Sequence, residues 1–128
     1  MTAPRWLNAV LREFGEGIEL GSFGLNEQNS AVLRFETGVS LRFEYAFDSL
    51  VIAMLVPAPQ EAEVMKRMLV HTQPERRAAF RLRAGYLAKS AAVCFAVQLA
   101  EREVSLPGLN AVFMELWRLA EDFRRRLS

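Results

Sequence analysis

Residues 91–100, AAVCFAVQLA, carry one polar side chain, Gln98, and the only cysteine of the chain, Cys94. Alanine is the best helix former, so a helix is one reading of the stretch. A period of two sorts it more informatively: Val93, Phe95, Val97 and Leu99 point one way, and Ala92, Cys94, Ala96 and Gln98 the other. A pleated strand separates side chains in this way, and β-branched and aromatic residues pack well on it. The spacing therefore predicts a strand with one large face and one small face. The large face can pack on helices. The small one lets another backbone approach closely, and left bare it is an apolar patch of the kind that marks an interaction site.

Upstream of this strand, Phe80, Leu82, Ala84 and Tyr86 alternate with Arg81 and Arg83, and LAKS (87–90) supplies the turn of a hairpin. Downstream, Ser105 is a candidate N-cap and Pro107 suits the first turn of a long terminal helix. Its stripe runs through Leu109, Val112, Phe113, Leu116, Leu119, Ala120, Phe123 and Leu127.

At the other end, Trp6, Leu7, Val10, Leu11 and Phe14 share one stripe of a first helix, with Thr2 as N-cap, Pro4 in the first turn and Gly15 as its stop. GEGIELGSFGLNEQNS (15–30) reads as an ordered connection pinned by Ile18, Leu20, Phe23 and Leu25. Leu33 and Phe35 then alternate with Arg34 and Glu36, and Val39, Leu41, Phe43 and Tyr45 with Ser40, Arg42 and Glu44. Thr37-Gly38 between them predicts a two-residue hairpin turn. A second turn at Phe47-Asp48-Ser49 leads into LVIAMLV (50–56), apolar on both sides and hence an inner strand. Pro57 and Pro59 open a second helix with Ala62, Met65, Met68 and Leu69 on one face and Lys66 and Arg67 on another, ended by Pro74.

The order α-β-β-β-α-β-β-α predicts a single α+β domain over 1–128: a two-layer sandwich with an antiparallel sheet and helices packed on one face. Too few helices remain to cover both faces. The small face is accordingly expected at a subunit interface formed by Ala92, Cys94 and Ala96 with Met65 and Met68 of the second helix. The other reading is that this helix covers the face within the same chain.

At 128 residues the chain suffices for one domain that buries roughly two thirds of its unfolded surface. Hydrophobic residues make up 52%, but charges are spread throughout and no apolar run approaches the roughly 20 residues of a membrane span. MTAPRWLNAV lacks the apolar block of a signal peptide, so a cytoplasmic location without membrane insertion is expected. A net charge of +1 does not suit a dedicated nucleic-acid binder. Arg76, Arg77, Arg81 and Arg83 nevertheless cluster, as do Arg124, Arg125 and Arg126. Solvated faces and a positive helix C-terminus account for them. A small RNA-binding or regulatory module using Arg76–Arg83 is the alternative.

Chemistry finds little support. Cys94 needs a nearby base or positive surroundings to act as a nucleophile, and the only histidine, His71, ends the second helix. A phosphate-cradling loop follows a strand and opens a helix, whereas the glycines here follow a helix and lead to a hairpin, beside Glu16 and Glu19. One His and one Cys cannot supply a zinc set. Glu61 and Glu63 suit a helix N-terminus, and Glu121 and Asp122 a solvated helix side, so no carboxylate pair stands out as acid and base. The reading is a binding protein, not an enzyme, without a cofactor or metal.

LRAGYL (82–87), followed by REVSLPGLNAVFMELWRLAEDFRRRL (102–127), resembles the class I chaperones of bacterial type III secretion systems, the Tir-chaperone-like group, and within them the SycN type. The resemblance is strongest over residues 80 to 127. The first half agrees in element order and in its three-stranded meander. It implies a cytoplasmic bacterial dimer that consumes no ATP and keeps the N-terminal segment of a secreted protein extended and export-competent. For the SycN type it implies a second small chaperone as partner and a gatekeeper of secretion as cargo. Homodimer and heterodimer both stay open, since that family tends to be acidic and this chain is nearly neutral. Strand addition to a sheet edge would suit such cargo. The first hairpin offers that edge, with Leu33 and Phe35 beside a groove that Trp6, Val10 and Phe14 could line.

Overall fold

The structure, a computed structural model, describes residues 3–18, 24–71 and 82–127, without the side chains of His71 and Leu127. Thr2, Leu20, Phe23, Pro74, Arg76, Arg77, Phe80 and Arg81 lie outside the described residues. Among the described residues the elements run α1 (Arg5–Gly17), β1 (Ser30–Arg34), β2 (Ser40–Ala46), β3 (Ser49–Pro57), α2 (Ala62–His71), β4 (Leu82–Leu87), β5 (Ala92–Ala100), a 3-10 turn (Glu101–Glu103) and α3 (Leu106–Leu127). This is the predicted α-β-β-β-α-β-β-α order. The strands form one antiparallel sheet, β1-β2-β3-β5-β4. LVIAMLV is inner, as its two apolar sides required, and AAVCFAVQLA supplies its neighbour β5.

The large sides of the strands meet the helices. Leu41, Phe43, Ile52, Met54, Val93 and Phe95 are buried with Leu7, Leu11 and Phe14 of α1 and with Leu109, Val112, Leu116 and Phe123 of α3. Edge-to-face rings tie the layers, Phe14 to Phe43 at 5.6 Å and Phe95 to Phe123 at 5.5 Å, and Phe14 to Phe113 at 5.5 Å joins the two helices. The Ser105 hydroxyl accepts the Gly108 amide at 3.1 Å, which caps α3 as predicted.

Local details depart from expectation where geometry overrides composition. α1 continues through Gly15 to Gly17, because one helical glycine costs only about 1 kcal/mol. Pro4 stands before the first turn, its carbonyl accepting the Leu7 amide at 3.1 Å. The first hairpin turn contains three residues: the Phe35 amide donates to the Val39 carbonyl, the Gly38 amide to the Phe35 carbonyl, and Gly38 has φ +91°. A left-handed third residue is what such a loop needs. The second hairpin is tighter, Phe47 and Asp48 both having positive φ between paired Ala46 and Ser49.

The connection before β1 is held by apolar Ile18 and Leu25 and also by polar hooks. Asn8 Oδ1 accepts the Leu25 amide at 3.0 Å, and Asn26 Oδ1 accepts those of Gln28 and Ser30. On α2 the inward residues are Val64 and Met68, with Met65 beside them, whereas Ala62 and Leu69 are exposed. The Tyr86 hydroxyl donates to the Ala58 carbonyl at 2.8 Å, and the Ala58 amide to the Ala91 carbonyl. This fixes how the chain enters α2 and turns Val64 inward.

Candidate functional site

Registers across the sheet define its second face. One row runs Arg34, Ser40, Leu55, Cys94, Gly85; the next runs Val32, Arg42, Ala53, Ala96, Arg83. Ala53, Leu55 and Ala92 form a small buried cluster with Cys94 and Ala96 against it, separate from the main core. Small side chains keep this centre flat. Among the described residues no helix packs over it: α2 joins α3 and β4 on the other side, with Val64 and Met68 in the main core. The five residues expected at a subunit interface thus divide, Ala92, Cys94 and Ala96 on the flat face and Met65 and Met68 on the helical one.

Cys94 is half-buried, and that burial pushes its thiol up from the ordinary value; Glu44 adds to the shift and Arg42 opposes it. A thiol held protonated is a poor nucleophile. Tyr45 is buried, and its hydroxyl is likewise pushed up, first by desolvation and then by Glu101 and Asp48. Among the described residues no group of three His, Cys, Asp or Glu side chains comes together to hold a metal ion. Of the basic cluster, only Arg83 is described, exposed on the flat face. No helix among the described residues is long and apolar enough to cross a membrane.

A second surface lies at the β1 edge. β1 pairs only with β2, so its outer backbone groups face no strand among the described residues, and Val32 on it is 51% exposed. The five residues expected to bind cargo differ in availability. Phe14 is fully buried, held between Phe43 and Phe113. Val10, Leu33 and Phe35 are partly buried against the core, and Trp6 is 44% exposed. The neighbour of Phe35 is Trp117 of α3, edge-on at 4.9 Å. Trp117 lines an open depression of about 530 Å³ with Ala111, exposed Met114, Arg118 and Arg125. Trp117 lies four residues after Phe113, on the flank of the predicted stripe, and was legible there.

The fold is thus an α+β sandwich with helices on one sheet face and, among the described residues, no helix over the other. A family model described as "Type III secretory system chaperone SycN" matches residues 6–123, and the chain belongs to that family of type III secretion chaperones. Solved structures share its fold. The crystal structure of the ExsC-ExsE complex is 22% identical, with TM-score 0.81, covering 98% of this chain and 96% of that one. The HopA1-SchA chaperone-effector complex is 13% identical, with TM-score 0.70 and coverages of 97% and 99%. The Yersinia pestis type III secretion chaperone SycH in complex with a fragment of YscM2 is 15% identical, with TM-score 0.66 and coverages of 91% and 98%. No curated protein sequence matches the chain.

Proposed function

We propose that the protein is a cytoplasmic type III secretion chaperone that acts by binding alone. It holds the N-terminal segment of a secreted protein, a gatekeeper or other regulator of secretion, in an export-competent form. The family match over residues 6–123 carries this reading. The fold adds a surface that suits such a role. The open edge at β1, flanked by partly exposed Leu33 and Phe35, can accept an extended segment by strand addition. Trp6 and Val10 on α1 are the further contacts. Phe14, buried in the core, supports them from beneath and does not touch cargo.

The flat face around Ala92, Cys94 and Ala96, with Ala53 and Leu55, is the proposed subunit interface. Met65 and Met68 fall outside it. Purification of the protein from its native cytoplasm, followed by mass determination of the intact complex, tests the proposal. The expected result is a chaperone dimer carrying one secreted protein. A strictly monomeric chain with no secreted partner overturns it.

A further inference from the structure

The open edge of β1 is shorter than the strand itself. In the β1–β2 ladder the bonded residues are odd-numbered: the Phe35 amide donates to the Val39 carbonyl, and the Tyr45 amide to the Asn29 carbonyl. Bonded and non-bonded pairs alternate along an antiparallel ladder, so Ala31 and Leu33 also turn their backbone groups to β2, while those of Ser30, Val32 and Arg34 face outward. The groups of Ser30 are already taken. Its amide donates to Asn26 Oδ1 at 3.1 Å, and its carbonyl accepts the Asn26 amide at 2.8 Å. The loop before β1 thus closes the edge at Ser30 and leaves two residues open, Val32 and Arg34. Their side chains share the flat face and are exposed. Arg34 forms no ion pair with a described residue, although Glu36 follows in the turn and Glu44 lies on the same face.

We propose that this short edge selects a three-residue signature in the secreted segment: a carboxylate opposite Arg34, an apolar residue opposite Leu33, and a β-branched or aromatic residue opposite Val32. The proposal rests on the strand-addition reading above and adds what the added strand must carry. An antiparallel strand exchanges hydrogen bonds with Arg34 and Val32 through its first and third signature residues, whose side chains then fall on the flat face. Opposite charges set directly across two strands stabilise the pair, as do β-branched and aromatic residues set against one another. The middle residue points to the helical side, over half-buried Leu33. Beyond the third residue the segment meets the Asn26 loop, so Asn26 sets the register of the strand as well as its length. An arginine on an open edge also turns away edges of like charge, and this keeps the site from general strand pairing.

A phage-displayed library of random peptides, selected on the natural chain, tests this. The order acid, apolar, β-branched or aromatic should be enriched among the binders. A synthetic copy of the strongest binder is then titrated by fluorescence anisotropy. Lysine in place of its carboxylate should weaken binding about fivefold, and the Arg34→Glu chain should reverse that preference. N-methylation of the first or third signature residue removes a bonded amide and should abolish binding, whereas N-methylation of the middle residue, whose amide points away from β1, should leave it within about twofold. Val32→Pro deletes an outward amide, spares the β2 ladder and should also abolish binding. Binders without a charge preference, or with one that survives Arg34→Glu, overturn the inference and leave strand addition standing. No binder at all, or binders that tolerate Val32→Pro and every N-methylation, overturn both. A dimer of the natural chain that Val32→Pro dissociates gives the edge to a second copy and overturns the inference.

Discussion

Phe14→Ala separates folding from binding at the α1 end of the molecule. The ring is wholly buried and packs edge-on against Phe43 of β2 and Phe113 of α3, at 5.6 and 5.5 Å, so it joins three elements at once. Truncation removes its burial and leaves a cavity that these neighbours cannot close, a loss of about 3–5 kcal/mol. Domains of this kind have a total stability of only about 5–15 kcal/mol. With a urea dependence of about 2 kcal/mol per molar, the unfolding midpoint falls by roughly 2 M. Trp6→Ala is the contrast. The side chain is 44% exposed, and its loss should move stability by about 1 kcal/mol or less while weakening cargo binding about tenfold. Both effects are read by far-ultraviolet circular dichroism in urea at fixed protein concentration, beside titration with the N-terminal segment of the cognate secreted protein. A Phe14→Ala midpoint within about 0.5 M of the natural chain, together with lost cargo binding, would refute the placement of Phe14 in the core.

Removal of the α3 cap by Ser105→Ala should cost about 1 kcal/mol in the same urea titration, and no change would show the cap to be idle. Gly108→Ala should also destabilise, despite the better helix propensity of alanine, because its Cβ would stand 3.0 Å from the Ser105 hydroxyl oxygen; a gain in stability would contradict that contact. Cys94 should react slowly with a disulfide reagent at neutral pH, its rate still rising above the pH at which a free cysteine levels off; fast neutral labelling would show an activated thiolate. Tyr45 is raised in the folded state, so its contribution is complete below the unfolded value of about 10 and lost as pH climbs through the folded value. The natural chain should therefore lose stability on alkaline titration in that window, and Tyr45→Phe should lose less; equal loss in both would exclude Tyr45 as the cause.

Legibility in the sequence followed the range of the interaction. Period two is a property of the strand itself, so Val93, Phe95 and Val97 could be told from Cys94 and Ala96 without knowing what lay above them. The hairpin turn at Glu36-Thr37-Gly38 was harder. Phe35 continues the alternation of Leu33 in the sequence, yet its amide belongs to the turn, and the strand ends at Arg34. The face of α2 was ambiguous for another reason. Ala62, Met65 and Leu69 satisfy helical spacing as well as Val64 and Met68 do, and only the anchoring of Ala58 by Tyr86 and Ala91 chooses between them. Asn8 gave no local signal at all, because the amide it accepts comes from Leu25, 17 residues away. The candidate cargo residues suffered similarly: one helical stripe contains exposed Trp6, partly buried Val10 and fully buried Phe14, and periodicity cannot grade depth along a stripe.

The β1 edge and the flat face differ in kind, and that difference assigns them different partners on the proposed reading. An edge strand offers backbone groups, which any extended segment can satisfy, with specificity left to a few side chains such as Leu33 and Val32. That suits cargo whose sequence varies and whose own fold must be kept open. The flat face offers almost no free backbone. Its centre of Ala53, Leu55, Cys94 and Ala96 is small and apolar and would reward close apposition of a folded surface. Because α2 joins α1 and α3 in one layer, nothing in the described chain competes for that face. Cargo capture and subunit pairing can then proceed at once, and a substitution such as Ala96→Arg should abolish the second while leaving β1 free for the first.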